Sequence, residues 1–131
     1  MVWVYRALIA AFALLFFTMG IGFYFEPVGS GGDFGLEAMS PAGMNSLRGD
    51  IGGLFVASAV LLLWGLIASN PHLLRAVAVL MLAIALGRGI GFAFDPVAQE
   101  SVIALVVEIV TAAVLLRASM VPPWSSAPEL R

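Results

Sequence analysis

Three charges stand in or beside strongly apolar sequence. Arg88 lies in Ala85-Leu86-Gly87-Arg88-Gly89-Ile90-Gly91, Glu108 sits between Val107 and Ile109, and Arg48 opens an apolar run with Asn45 before it and Asp50 after it. A charge inside a bilayer is costly, so it normally faces a bundle interior and finds a partner. Counting back from Phe94 at about 1.5 Å per residue puts Arg88 about 9 Å below a helix edge, and counting forward from Ser101 puts Glu108 at about 10 Å. Opposite charges at one depth are each other's expected partners. Asn45, Arg48, Gly49 and Gly52 share one helical face by their i, i+3, i+4 and i+7 spacing, whereas Asp50 points to nearly the opposite side. Arg48 is therefore expected to join the interior group, and Asp50 to face another helix or the headgroups.

The formal charges of Arg48, Asp50, Arg88 and Glu108 cancel. One reading is a buried ion network that fixes helix packing. The other is a polar pocket, open to the outside, in which guanidiniums hold an anionic or carbonyl group by paired hydrogen bonds. Asn45 then orients the ligand and Glu108 balances the charge. Other chemistry is thin. His72 is the only histidine and sits at a helix start, Ser58 and Ser69 have no neighbouring base in sequence, and there is no cysteine. Haem with two histidine ligands and thiolate metal sites are excluded within one chain, no metal site is expected, and the sequence names no cofactor.

The elements that must position these residues are written in the composition. Of 131 residues, 62% are hydrophobic and 11% charged, which rules out an ordinary soluble domain. The net charge is −2, with no lysine, so there is no basic surface for nucleic acid. Lipid leaves no free backbone group satisfied, so a span needs about 20 apolar helical residues. Four stretches qualify, at about 7–25, 51–69, 73–94 and 102–120, punctuated by Glu26-Pro27, Asn70-Pro71, Asp95-Pro96 and Pro122-Pro123. The expected fold is all-α: a single four-span membrane domain over 1–121 with a short cytoplasmic tail at 122–131. The 26–47 segment is the only sizeable loop, either a cap on the outer face or a flexible connector.

Arginine fixes the expected direction, because Arg-bearing loops stay in the cytoplasm. Arg6, Arg75, Arg117 and Arg131 fall at the N-terminus, the loop between spans two and three, and the tail, while Glu26, Asp33, Glu37, Asp95 and Glu100 fall in the other two loops. Both termini are expected in the cytoplasm and the protein in the inner membrane. Trp3, Tyr5, Tyr24 and Trp124 suit the membrane interfaces.

The chain also repeats itself. Gly20-Ile21-Gly22-Phe23-Tyr24-Phe25-Glu26-Pro27-Val28 matches Gly89-Ile90-Gly91-Phe92-Ala93-Phe94-Asp95-Pro96-Val97 at seven of nine positions, at an offset of 69 residues. Each copy ends an outward-going helix. The expected architecture is therefore a transmembrane four-helix bundle of two parallel-repeat hairpins, with a pseudo-twofold axis along the membrane normal. Thr18 and Gly22 align with Gly87 and Gly91, and Gly49 with Gly53 makes another small-residue pair. Gly49, Gly52, Gly53, Gly87 and Gly91 are thus expected at close helix contacts. Arg88 aligns with Met19, so the repeat is broken where the charge enters.

The stretch Asn45-Ser46-Leu47-Arg48-Gly49-Asp50-Ile51-Gly52-Gly53-Leu54, with the later Gly87-Arg88 pair, resembles a family of small bacterial membrane proteins known as domain of unknown function 4345. In that family an Asn-x-x-Arg-Gly-x-x-Gly-Gly segment opens the second helix and a Gly-Arg pair lies late in the third. The likeness spans nearly the whole chain and implies that Asn45, Arg48, Gly49, Gly52, Gly53, Gly87, Arg88 and Glu108 are the positions to carry over. The family is similar in plan to other small four-helix bundles such as the DoxX-like group. It implies a fold and a set of positions, and no reaction, substrate or cofactor; Pro122-Pro123-Trp124 looks like a local addition.

Three function classes follow. A non-enzymatic binding or accessory subunit needs only a bundle, a lipid-facing surface and a polar site, and is the leading expectation. Its partners are membrane lipids and either further copies of itself or a larger membrane complex. A transporter or ion pathway needs a polar route through both leaflets, yet the inner half is almost uniformly apolar, so it would have to be an oligomer. An intramembrane enzyme needs a nucleophile, metal or second acid beside Glu108, and the sequence offers none.

Overall fold

Prolines and caps set the boundaries of the helices. In the computed structural model, which describes residues 1–124, the first helix, α1, covers Val2–Phe25. Glu26 closes it by donating its N–H to the Gly22 carbonyl at 2.7 Å, and Pro27 starts a short helix, α2, at Pro27–Gly32. The chain then turns at Gly35, whose φ of +68° lies in the left-handed region that glycine adopts without a Cβ penalty. Ser40 caps the next helix by accepting from the Gly43 N–H at 3.1 Å, with Pro41 behind it at the first helical position. This helix, α3, covers Pro41–Ser46; a π-helical turn at Leu47–Gly52 joins it to α4 at Gly53–Ile67. Asn70 caps α5, Pro71–Phe94, by accepting from the His72 N–H at 2.9 Å, and α6 covers Gln99–Ala118.

Four helical runs are long and apolar enough to cross a membrane: Val2–Phe25, Pro41–Ile67, Pro71–Phe94 and Gln99–Ala118. The second begins ten residues before the expected position 51, because Ser40 and Pro41 supply a start signal that carries the helix back through the polar segment. The first begins at Val2, so Trp3, Tyr5 and Arg6 are helical. The 26–47 segment holds two short helices and packs on the bundle, which favours the cap over the flexible connector. The tail expected at 122–131 lies outside the described residues from 125 onward.

Contacts fix an up-down-up-down bundle. Gly20 of α1 lies against Val56 and Gly52, and Phe16 against Phe55, so α1 and α4 are antiparallel. Arg88 meets Glu108 near one end of the α5–α6 pair and Arg75 meets Ser119 near the other, so these helices are antiparallel as well. The turn at 68–70 brings Gly65 against Leu73 and Leu74, which reverses the chain between α4 and α5. Consequently α1 and α5 run in the same direction. The ring closes with lighter contacts between α4 and α5 and between α1 and α6.

Packing is uneven along the bundle axis. At the end that holds the N-terminus, the α4–α5 turn and Trp124 (the terminal end), the four helices share one core. Ile9, Ala13, Ala59, Leu62, Leu74, Val77, Ala78, Ala112 and Leu115 are all buried there. Trp124 is buried as well: its indole N–H donates to the Gly65 carbonyl at 3.2 Å, and the Arg6 guanidinium lies 5.9 Å from its ring. Toward the other end (the loop end), burial on α5 stops at Ala85 and on α6 begins only at Glu108. The first hairpin stays closed there, through Gly20, Phe23 and Gly52. The hairpins therefore part toward the loop end.

Candidate functional site

The parting leaves a cavity of about 500 Å³ among all four long helices, within the range of about 300–1,000 Å³ typical of small-molecule sites. Its walls are apolar: Leu15, Phe16 and Met19 from α1, Leu54 and Phe55 from α4, Met81 and Ile84 from α5, and Ile103, Ala104 and Val107 from α6. Phe34 and Leu36 of the 26–47 segment complete the wall. Phe34 is held there by ring contacts to Phe23 and Phe55 at 5.6 and 6.0 Å. Four ionisable side chains line the space: Arg88, Glu108, Asp33 and Glu100.

Arg88 and Glu108 form the ion pair expected from their equal depth. Nη2 donates to Glu108 Oε1 at 2.8 Å, and Nε donates to Oε1 at 3.2 Å and to Oε2 at 3.3 Å. This fork geometry is what arginine offers a carboxylate and lysine does not. The pair is substantially withdrawn from solvent, with 26% of the Arg88 side chain and 11% of the Glu108 side chain exposed. Only one edge of the guanidinium is spent. Nη1, with its two N–H groups, makes no hydrogen bond among the described residues, and Arg88 is one of the residues that line the cavity. One helical turn deeper, Thr111 is fully buried with its hydroxyl unpartnered, which nothing in the structure explains.

The rest of the expected polar network stands apart. Arg48 is exposed, and its Nε donates to the Tyr24 carbonyl at 3.1 Å, where it satisfies a carbonyl of the last turn of α1. Asn45 and Asp50 are exposed too, so neither belongs to a buried network, and Asp50 lies off the interior as its opposite helical side implied. The physical reason is the π-helical turn. Its i→i+5 bonds widen the helix at Leu47–Gly52, so the i, i+3, i+4 and i+7 face reckoned for an α-helix does not hold there. The buried residues of this turn are Leu47 and Gly52.

The expected glycine contacts divide in the same way. A Cβ on Gly52 would fall 2.8 Å from the Tyr24 ring and 3.0 Å from Phe23 Cβ, while one on Gly53 would reach only the Tyr24 hydroxyl at 3.8 Å. At Gly49, Gly87 and Gly91 a Cβ would meet nothing within 4 Å, so the close packing expected there is not made. Past Ala85, where the hairpins have parted, α5 meets α6 through the Arg88–Glu108 pair, and its glycines face no neighbour. The tightest helix approach is at Gly20, where a Cβ would fall 2.9 Å from the Val56 backbone nitrogen and 3.0 Å from the Gly52 carbonyl oxygen. Gly20 opens the repeated motif and was legible there as a small residue, while the cavity-lining Asp33, Phe34, Leu36 and Glu100 carry no spacing signal at all.

No curated protein and no solved structure matches the chain. A family model does, over residues 4–119, which takes in most of α1 and all of α4, α5 and α6 with the ion pair and the cavity. The chain therefore belongs to the family described as domain of unknown function DUF4345, as the Asn45–Gly53 and Gly87-Arg88 segments led one to expect.

Proposed function

We propose that this is a non-enzymatic binding protein of the bacterial inner membrane, which holds a lipid-soluble small molecule in the cavity between its two hairpins. The observation that carries the reading is the cavity itself: apolar walls from four membrane-length helices around one fixed ion pair. Small-molecule sites combine an apolar lining with a few placed polar groups in this way. The solid core of the terminal end favours a closed pocket over a route through the membrane. The exposed apolar faces of all four spans suit contact with lipid and with a larger membrane complex or further copies of the chain. In the proposed orientation both termini are cytoplasmic and the cavity lies in the outer half. A cysteine introduced at position 75 would then react with a membrane-impermeant reagent only after permeabilisation; outside labelling overturns the orientation.

The binding reading is tested by purifying the full chain in mild detergent and identifying small molecules that leave with it by mass spectrometry. Ala104→Phe places a ring in the cavity from α6. The wild type is expected to retain a lipid-soluble compound that this variant loses while melting no lower. An identical complement of bound compounds in both proteins overturns the reading.

A further inference from the structure

We infer that the cavity selects an uncharged molecule with a carbonyl group at one end and hydrocarbon behind it, the carbonyl accepting a hydrogen bond from the free Nη1 edge of Arg88. This rests on the binding reading above and narrows it to a chemical class. Glu108 occupies the Nε and Nη2 side of the guanidinium and leaves the two N–H groups of Nη1 unspent among the described residues, on a side chain that lines the cavity. A donor beside apolar walls meets less competition from water than one on an open surface, and an acceptor placed there gains a charge-assisted bond.

The charges around the cavity decide against the anion that two free arginines would have suited. Arg48 is engaged with Tyr24 outside the cavity, so Arg88 is the only guanidinium in the lining among the described residues. It is already neutralised by Glu108, and Asp33 and Glu100 add two more carboxylates. With three carboxylates to one guanidinium, the lining carries a formal excess of two negative charges, which opposes a phosphate or carboxylate headgroup. A cation fares no better at depth, because the one buried carboxylate is held by Arg88. A neutral acceptor such as an ester or a quinone carbonyl meets the unspent donor without uncompensated charge.

The test is native mass spectrometry of the full chain, in detergent, with four probes: diolein, decylubiquinone, dioleoyl phosphatidic acid and hexadecane. Diolein and phosphatidic acid share their chains and differ in charge, while hexadecane removes the carbonyl. At least one of diolein and decylubiquinone is expected to be retained about tenfold or more over both phosphatidic acid and hexadecane, the size of a charge-assisted hydrogen bond. Which of the two binds distinguishes an ester from a ring carbonyl. Arg88→Lys keeps a cation for Glu108 but has a single nitrogen, which cannot stand against the carboxylate and at the Nη1 position at once, and is expected to bring carbonyl retention down to that of hexadecane. The double change Arg88→Met with Glu108→Leu removes the charges together and is expected to do the same. Phosphatidic acid held as well as diolein, or hexadecane held as well as the carbonyl probes, overturns the selectivity and leaves the binding reading standing. Retention of a carbonyl probe unchanged by Ala104→Phe places it outside the cavity and overturns the binding reading itself.

Discussion

Gly20 and Gly89 open the same nine-residue motif at the loop ends of α1 and α5, and their surroundings differ completely. Gly20 faces the backbone of α4, with Val56 and Gly52 too close for any side chain, and the motif's Phe23 is fully buried among Phe34 and Phe55. Gly89 faces open space and Phe92, which aligns with Phe23, is only partly buried, while Phe25 and Phe94 at the ends of the two copies are both exposed. The motif is the same; the partners are not. α1 meets a helix with small residues at the crossing, and the 26–47 segment lays Phe34 over it. α5 turns directly into α6, which brings Ile103, Val107 and Glu108 instead of glycine, and the two helices meet through an ion pair. A helix end rich in glycine permits close packing, and only the facing surface decides whether packing occurs.

Loss of the ion pair has the largest expected effect on this contrast. Arg88→Ala strands Glu108 in an apolar wall and is expected to cost about 3–5 kcal/mol, while Arg88→Met with Glu108→Leu recovers most of it. Thermal melts of both variants in detergent check this; an Arg88→Ala melt at the wild-type temperature would show that the second hairpin does not depend on the pair. Next comes the aromatic cluster. Phe23→Ala removes a fully buried ring and is expected to cost about 3–4 kcal/mol, against less than about 1 kcal/mol for the aligned Phe92→Ala, which is only partly buried. Equal losses at the two positions would mean that the second loop end is as closed as the first.

Gly20→Ala forces a methyl against the α4 backbone and is expected to cost about 1–3 kcal/mol. The smallest effect sharpens the comparison most. Gly89→Ala meets no atom within 4 Å and sits inside a helix, where alanine is favoured by up to about 1 kcal/mol, so the variant is expected to melt at or slightly above the wild type. A marked loss at Gly89 would place a second protein surface against α5 in the detergent particle.

Much of the molecule was legible in the sequence because membrane helices are written in length and apolarity, and Pro27, Pro71 and Pro96 mark their limits. The Arg88–Glu108 pair was legible for a related reason: rise per residue converts position into depth, and depth leaves two opposite charges few partners. Arg48 was not, because face arithmetic presumes 3.6 residues per turn and the chain adopts a π-helical turn where that arithmetic was applied. The cavity was not legible either. It is a space between hairpins, set by where burial stops at Ala85 and begins at Glu108, and no local pattern encodes it. Asp33 and Phe34 reach it through a loop whose path depends on Gly35 and on the rings it packs against.

Trp124 bears on how the protein is assembled. Its ring follows all four spans in the chain, yet it is bound to the Gly65 carbonyl in the second and lies within reach of Arg6 in the first. The earliest helix to enter the membrane therefore waits for the last to be made before its terminal end is sealed. Until then the Gly65 carbonyl accepts from the Asn70 N–H of its own turn, and the indole completes both that carbonyl and the surface beside Arg6 only when synthesis has passed the fourth span.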